Sequence, residues 1–191
     1  MSRVLVTGGV GAIGSSVVRR LLADPAYDVR VADRKDAPQW MREGCEIRGG
    51  DLRDVHEATS AIGGCPYVIH LASPAEPQQS ADYSFIAAST ALDSALLRAA
   101  IDHQVERFVY VSCAAASAHA GEPSTGKPHL SDCPPPLSAR GFAKLVGERL
   151  CHAAHAEHGL PFTICRPAKY PPAHMDDTVA EIVAALSPPA G

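Results

Sequence analysis

The run Thr7-Gly8-Gly9-Val10-Gly11-Ala12-Ile13-Gly14 carries the clearest chemistry in this sequence of 191 residues. It follows a short apolar run, Val4–Val6, and opens a helical stretch, which is the context in which a glycine-rich segment binds phosphate. Gly8 permits a tight turn, Gly11 lets the backbone approach a pyrophosphate, and Gly14 allows the helix to pack closely on a sheet. The backbone amides at the start of that helix, those of Ala12, Ile13 and Gly14, then point toward the anion. A second apolar run ends in Val29-Arg30-Val31-Ala32-Asp33, which places Asp33 19 residues after Gly14. A carboxylate at that distance accepts hydrogen bonds from the 2′-hydroxyl of an adenosine ribose.

Cys151, His152, His155 and His158 form a second cluster at helical spacing, so that neighbouring histidines could share a face and bridge a metal. No fourth ligand or supporting shell is evident, and an exposed last helical turn, where partly protonated His is favoured, explains the cluster better. No metal is expected. The six cysteines never approach closer than 14 residues in sequence, so there is no CxxC pair. Without a secretory pattern at Met1–Gly9 they are expected to be reduced thiols, mostly small core residues, in a cytoplasmic protein.

The elements that must position these groups alternate. Apolar runs fall at Val4–Val6, Val29–Ala32, Tyr67–Leu71, Phe108–Val111 and Phe162–Cys165, with a weaker one at Cys45–Arg48. Helical patterns lie between or after them at Ala12–Ala23, Asp54–Ile62, Tyr83–His103, Ser138–His158 and Asp176–Leu186. Short, nearly continuous apolar runs are the mark of parallel strands covered on both faces. The alternation implies an α/β fold, a Rossmann-type doubly wound parallel sheet with helices on both faces. The length favours one domain over residues 1–191, with no repeat or linker. Ala114–Leu137, with two glycines and five prolines, reads as a long loop on the active-site side. A net charge of −4 gives no reason to expect nucleic acid or an anionic membrane, and no apolar run approaches the ~18–20 residues of a span.

These residues carry a family resemblance. Thr7–Gly14 resembles the TGxxGxxG of the short-chain dehydrogenase/reductase superfamily, and further segments resemble its extended, NAD-dependent epimerase/dehydratase branch. Gly50-Asp51-Leu52-Arg53-Asp54 is similar to the family's GDLRD, His70-Leu71-Ala72-Ser73 to HLAA, and Arg107–Cys113 to RFVYxSS. Lys144-Leu145-Val146-Gly147-Glu148 resembles KLxGE, and Arg166-Pro167 the RP after the sixth strand. The resemblance implies a bound nicotinamide dinucleotide. Asp51 would meet the adenine amino group and Leu52 flank the ring, while Leu71, Ala72 and Ser73 run beside the nicotinamide ribose and pyrophosphate. Thr7 and Lys144 would join that set. Asp33 repels a 2′-phosphate and favours NAD, whereas Arg34 beside it leaves NADP open.

The same resemblance exposes departures. The family's acid/base is a YxxxK pair, but four residues before Lys144 stands Arg140, and no tyrosine in the chain is followed by lysine at that spacing. Arginine stays protonated and cannot exchange the proton, although it can bind a carboxylate, phosphate or enolate. The family's serine falls on Cys113, with Ser112 one residue earlier; Cys113 is a nucleophile if acidified by Lys144 or Arg140, and otherwise an inert small residue. The usual NVxGT reads Ser89-Thr90-Ala91-Leu92-Asp93, and the late helix of the family is matched by a remnant over residues 173–187 only a few residues after Pro172. That spacing implies a substrate lobe largely missing through internal deletion. Three functions fit. The first is a non-redox isomerase, lyase or cyclase acting on a small molecule through Lys144 and Arg140, with His119 or Tyr170 as a proton source. The others are an oxidoreductase or epimerase with a replaced acid/base, and a non-catalytic dinucleotide sensor. A homodimer through the helices at 83–103 and 138–158 is expected from the resemblance.

Overall fold

The computed structural model describes residues 1–74, 83–117, 138–167 and 175–187. Six strands form one parallel sheet: β1 (Ser2–Thr7), β2 (Tyr27–Asp33), β3 (Glu46–Gly49), β4 (Tyr67–His70), β5 (Arg107–Val111) and β6 (Phe162–Cys165). Their order across the sheet is β3-β2-β1-β4-β5-β6, the Rossmann arrangement expected from the alternating pattern. The chain leaves β1 toward one side and β4 toward the other, so a crevice opens beyond the carboxyl ends of these two neighbours.

Seven helices accompany the strands among the described residues: α1 (Ala12–Leu22), α2 (Gln39–Gly44), α3 (Val55–Ile62), α4 (Tyr83–Asp102), α5 (Ala114–Ser117), α6 (Ala139–His158) and α7 (Met175–Ala184). Asp54 and Ser138, read as first helical residues, are instead N-caps. Asp54 accepts from the amides of His56 and Glu57, and Ser138 from that of Gly141. Helix α2 has no counterpart in the sequence reading, because six residues after Pro38 give too little periodicity to detect. Its one buried side chain, Met41, anchors it, and Arg19 of α1 stacks on Trp40 at 3.8 Å. The first four residues of the expected loop at 114–137 form α5; residues 118–137 lie outside the described ones, as do Tyr170 and His119.

Strand alternation sorts the core into two layers. Leu5, Val68, Phe108 and Tyr110 face α3, α4 and α6, together with Ile62, Leu96 and Cys151. Val4, Val6, Ile69 and Val109 face the opposite layer, with Val17, Leu21, Met41 and Ile182. The same parity carried to the strand ends puts Thr7, His70 and Tyr110 on the α4/α6 side. Helix α4 meets the length and apolarity of a membrane span, but half of its apolar window is buried in this core and it carries the buried Asp93. Arg30, 4% exposed, ties the outer strands to α3 through Glu46 and the carbonyls of Ala61 and Gly63.

Candidate active site

The register aligns Thr7 with Ala32 on β2 and with His70 on β4. The Gly8 amide donates to the Ala32 carbonyl at 2.8 Å and the Leu71 amide to that of Thr7 at 3.1 Å, so both exit loops start from fixed positions. Gly8 then turns with φ of +70°, and a Cβ there would stand 2.7 Å from the Ala72 nitrogen. A Cβ on Gly14 would overlap the Gly8 carbonyl oxygen. Both positions therefore require glycine, as the sequence spacing implies. Gly11 caps α1 without any side-chain hydrogen bond, and no acid sits in the first turn. The amides of Ala12, Ile13 and Gly14 consequently border an open groove of about 1110 Å³ with their positive ends unmatched by a side chain.

That groove runs along the carboxyl edge of the sheet. At one end lie Asp33, Arg34, Lys35, Asp51 and Arg53; at the other lie Ser73, Ser112, Cys113 and Arg140. The Asp33 carboxylate accepts from the Val10 amide at 2.9 Å and the Lys35 amide at 3.0 Å. These bonds fix its orientation and leave one lone pair on each oxygen for a diol. Asp51 is bonded through both oxygens to the Arg53 guanidinium, which holds its carboxyl at about 2. Asp51 therefore faces the groove already engaged by Arg53. Leu52 is buried and forms part of the floor.

At the other end, a recess of about 10 Å³ lies between α4 and α6, and Ser89, Asp93, Tyr110, Arg140 and Lys144 line it. Arg140 borders both this recess and the groove. The helical spacing of four residues brings Arg140 and Lys144 to one face of α6, as expected. Lys144 is half-buried, with Nζ 4.7 Å from the centre of the Tyr110 ring. Burial lowers its affinity for a proton and Arg140 adds to this, while Asp93 opposes both. Cys113 is half-buried on the groove wall. Ser112 is buried with its Oγ in no well-formed hydrogen bond, yet near enough to Glu148 to favour that carboxylate's charge. Glu148 is 3% exposed and is clamped by both ends of the Arg166 guanidinium.

Beneath the recess lies a polar chain that the sequence reading did not assemble. The Ala72 amide donates to Thr7 Oγ1 at 3.2 Å, and Thr7 Oγ1 lies 2.7 Å from His70 Nδ1. His70 Nε2 is 2.8 Å from Asp93 Oδ1, and the Tyr110 hydroxyl donates to Asp93 Oδ2 at 2.9 Å. Burial lowers the proton affinity of His70 against the opposing pull of Asp93, which favours the neutral imidazole. The network then assigns its tautomer: Nε2–H donates to Asp93, and Nδ1 accepts from Thr7. Tyr110 is buried, and both burial and Asp93 push its phenol far above the ordinary range, which removes it as an acid/base. Thr7, expected beside the dinucleotide, has its hydroxyl engaged in this chain.

The histidine cluster has an architectural explanation. His152 and His155 sit edge-on to Phe162 at 4.9 and 5.7 Å, and His155 Nδ1 lies 3.0 Å from the Leu160 carbonyl oxygen. Burial raises the thiols of Cys151 to about 12 and of Cys165 and the half-buried Cys45 to about 11, as befits inert residues in or against the core.

The family model described as the NAD dependent epimerase/dehydratase family matches residues 4–187. The chain belongs to that family. An uncharacterised UDP-glucose epimerase of Bacillus subtilis is 27% identical over 182 residues, covering 86% of this chain and 55% of the relative. A dTDP-glucose 4,6-dehydratase of Streptomyces niveus is 28% identical over 192 residues, covering 88% and 56%. Among solved structures, the UDP-glucose 4-epimerase of Thermotoga maritima with UDP-glucose superposes with a TM-score of 0.69 at 27% identity, over 86% of this chain and 54% of that one. The Thermus thermophilus UDP-glucose 4-epimerase complex with NAD gives 0.69 at 26%, over 86% and 54%. The chain thus spans about half the length of these relatives. Its own groove fits such a cofactor: an uncapped helix start for the pyrophosphate and an oriented Asp33 for the ribose.

Proposed function

We propose that this member of the family binds NAD(H), in preference to NADP(H), and acts on a small molecule at the end of the groove that Arg140 borders, beside the recess, without a tyrosine acid/base, in an isomerisation, elimination or ring closure. The observation that carries this reading is Arg140, which stands four residues before Lys144 and lines the same recess. Gly11–Gly14 would hold the pyrophosphate, Asp33 the adenosine ribose, and Leu71–Ser73 the wall beside the nicotinamide end. Bound there, a nicotinamide ring supplies a hydride donor or acceptor.

The chain's own residues do the rest. Arg140 keeps its charge at any working pH and stabilises negative charge on a substrate oxygen, as an enolate or carboxylate would present. Lys144, its proton loosened by burial, exchanges a proton with that oxygen. The names of the matched relatives make sugar nucleotides the first compounds to assay. A second copy docking on α4 and α6 belongs to the same proposal, since Tyr83 and Phe142 stand exposed on those helices.

Fluorescence titration with NAD, NADH, NADP and NADPH tests the premise; no binding to any of the four ends the reading. With binding established, substrate loss at constant NADH absorbance supports non-redox chemistry, and Lys144→Ala should abolish it. If Arg140→Tyr instead creates a reductase, the native protein is an oxidoreductase that has lost only its proton donor. A second reading, a dinucleotide sensor, rests on Tyr110 being locked to Asp93. It is favoured if cofactor binds and no compound is consumed.

A further inference from the structure

Asp93 is a carboxylate on the middle of a core helix, 3% exposed, where burial of an unmatched charge is costly. His70, whose proton affinity burial lowers, and Tyr110, whose phenol burial pushes up, donate to its oxygens at 2.8 and 2.9 Å. Two cations share its recess, Arg140 and Lys144, and it is the Lys144 Nζ that lies across the ring of the same Tyr110 that donates to Asp93. Gly147, one turn along α6 from Lys144, has no room for a Cβ, because one would overlap the Tyr110 hydroxyl and the Asp93 carboxylate. The close approach of α6 to Tyr110 and Asp93 at Gly147 therefore sets the helix that carries Lys144 against the ring bonded to the buried acid.

We propose that Asp93 is a positioning residue for Lys144: its fixed negative charge, aimed by His70 and Tyr110, seats the lysine ammonium at the floor of the recess. The other groups facing the ammonium have been placed above. Arg140 on the same helix opposes its charge, Cys113 lies beyond β5, burial holds the proton on the Cys151 thiol of α6, and burial lowers the proton affinity of His70 of β4. Glu148 of α6 is engaged by Arg166. That leaves Asp93 as the carboxylate at the recess without an arginine partner among the described residues. The inference does not depend on the proposed reaction, since it concerns the cofactor-free protein.

Asp93→Asn removes the charge and keeps the shape. Its amide oxygen accepts from Tyr110, and its NH2 donates to His70 once the ring adopts the other tautomer. Asp93→Thr is a second, smaller neutral variant, for use if the amide disturbs folding. The sequence contains four lysines (Lys35, Lys127, Lys144, Lys169), so reductive ¹³C-methylation followed by NMR titration resolves them, with Lys144→Arg assigning the signal. Loss of the opposite charge from the same recess should lower the Lys144 midpoint by about 1 pH unit, a tenfold rise in its acidity. Tyr110→Phe, which keeps the charge and removes one donor, should move it by less than about half a unit. A midpoint unchanged in Asp93→Asn or Asp93→Thr overturns the proposal, as does an equal fall in Tyr110→Phe. Thermal melting of each variant separates a loss of stability from this titration, which a merely structural role would leave in place.

Discussion

Gly147 is where α6 comes closest to the buried polar chain, and Gly147→Ala tests that contact directly. The added methyl would overlap the Tyr110 hydroxyl and the Asp93 carboxylate, and would stand 2.5 Å from Tyr110 Cζ. Tyr110 is fully buried and Asp93 is 3% exposed, so neither side chain can swing into solvent to make room. Pushing the helix away from the sheet costs roughly 1–3 kcal/mol, the usual range for overpacking. Breaking the 2.9 Å bond from Tyr110 to a charged acceptor costs about 1.5–3 kcal/mol more. Alanine is better than glycine inside a helix by about 1 kcal/mol, which offsets part of this. The expected net loss is about 2–4 kcal/mol, a large share of the ~5–15 kcal/mol that holds a domain together. Urea unfolding followed by far-UV circular dichroism, with matched slopes, reads this difference. A second measurement isolates the contact: Tyr110→Phe should cost less in the Gly147→Ala background than in the parent, because the displaced hydroxyl is already gone. A loss under about 0.5 kcal/mol, or a gain of the size that helix propensity alone supplies, would refute the reasoning.

Other perturbations probe the groove and the sheet edge. Gly14→Ala drives a Cβ into the Gly8 carbonyl and should weaken NADH binding at least about tenfold in a fluorescence titration, by displacing the loop that meets the pyrophosphate. Asp33→Asn removes the charge that repels a 2′-phosphate while Arg34 and Lys35 remain; calorimetry should show the NAD-to-NADP affinity ratio falling about tenfold or more. Burial pushes the Glu148 carboxyl up, but Arg166, with Ser112 and Arg149, more than reverses this and leaves it below its ordinary value of 4.5. Its contribution to stability is thus present above about pH 4.5 and lost as pH falls through the lower, folded value. Arg166→Ala leaves that carboxylate buried without its cation and should cost about 3 kcal/mol, the low end for a broken buried pair because Arg166 is partly exposed. The acid-unfolding midpoint should then move to higher pH.

Much of the fold was legible because it rests on backbone rules. Apolar runs locate six strands within two residues of their observed ends, and the glycines at 8 and 14 are demanded by a positive φ and by a close approach that no side chain can share. Helix α2 escaped because a single buried residue, Met41, leaves no period to read. Asp51 was assigned by resemblance to a ligand, yet Arg53, two residues away, bonds to both its oxygens. Local pairing of that kind depends on side-chain reach and is invisible to motif spacing.

The chain Thr7–His70–Asp93–Tyr110 was missed for a different reason. Its members sit 63, 23 and 17 residues apart along the links that join them, so no local window holds two of them. The information was nevertheless present. Alternation within the runs at Tyr67–Leu71 and Phe108–Val111, and carried one step past Val4–Val6, turns His70, Tyr110 and Thr7 toward the same layer, near the carboxyl ends of three adjacent strands. Helical spacing places Ser89 with Asp93 on α4, and Arg140 with Lys144 on α6, as two rows facing that end. A polar residue at the end of one apolar strand is unremarkable; three on one face, under two helices that each bring a charge, demand a shared partner, because none can be buried unpaired. Asp93 answers that demand from the position where the motif expectation was broken, which makes the departure from NVxGT a feature of the site rather than drift in a helix.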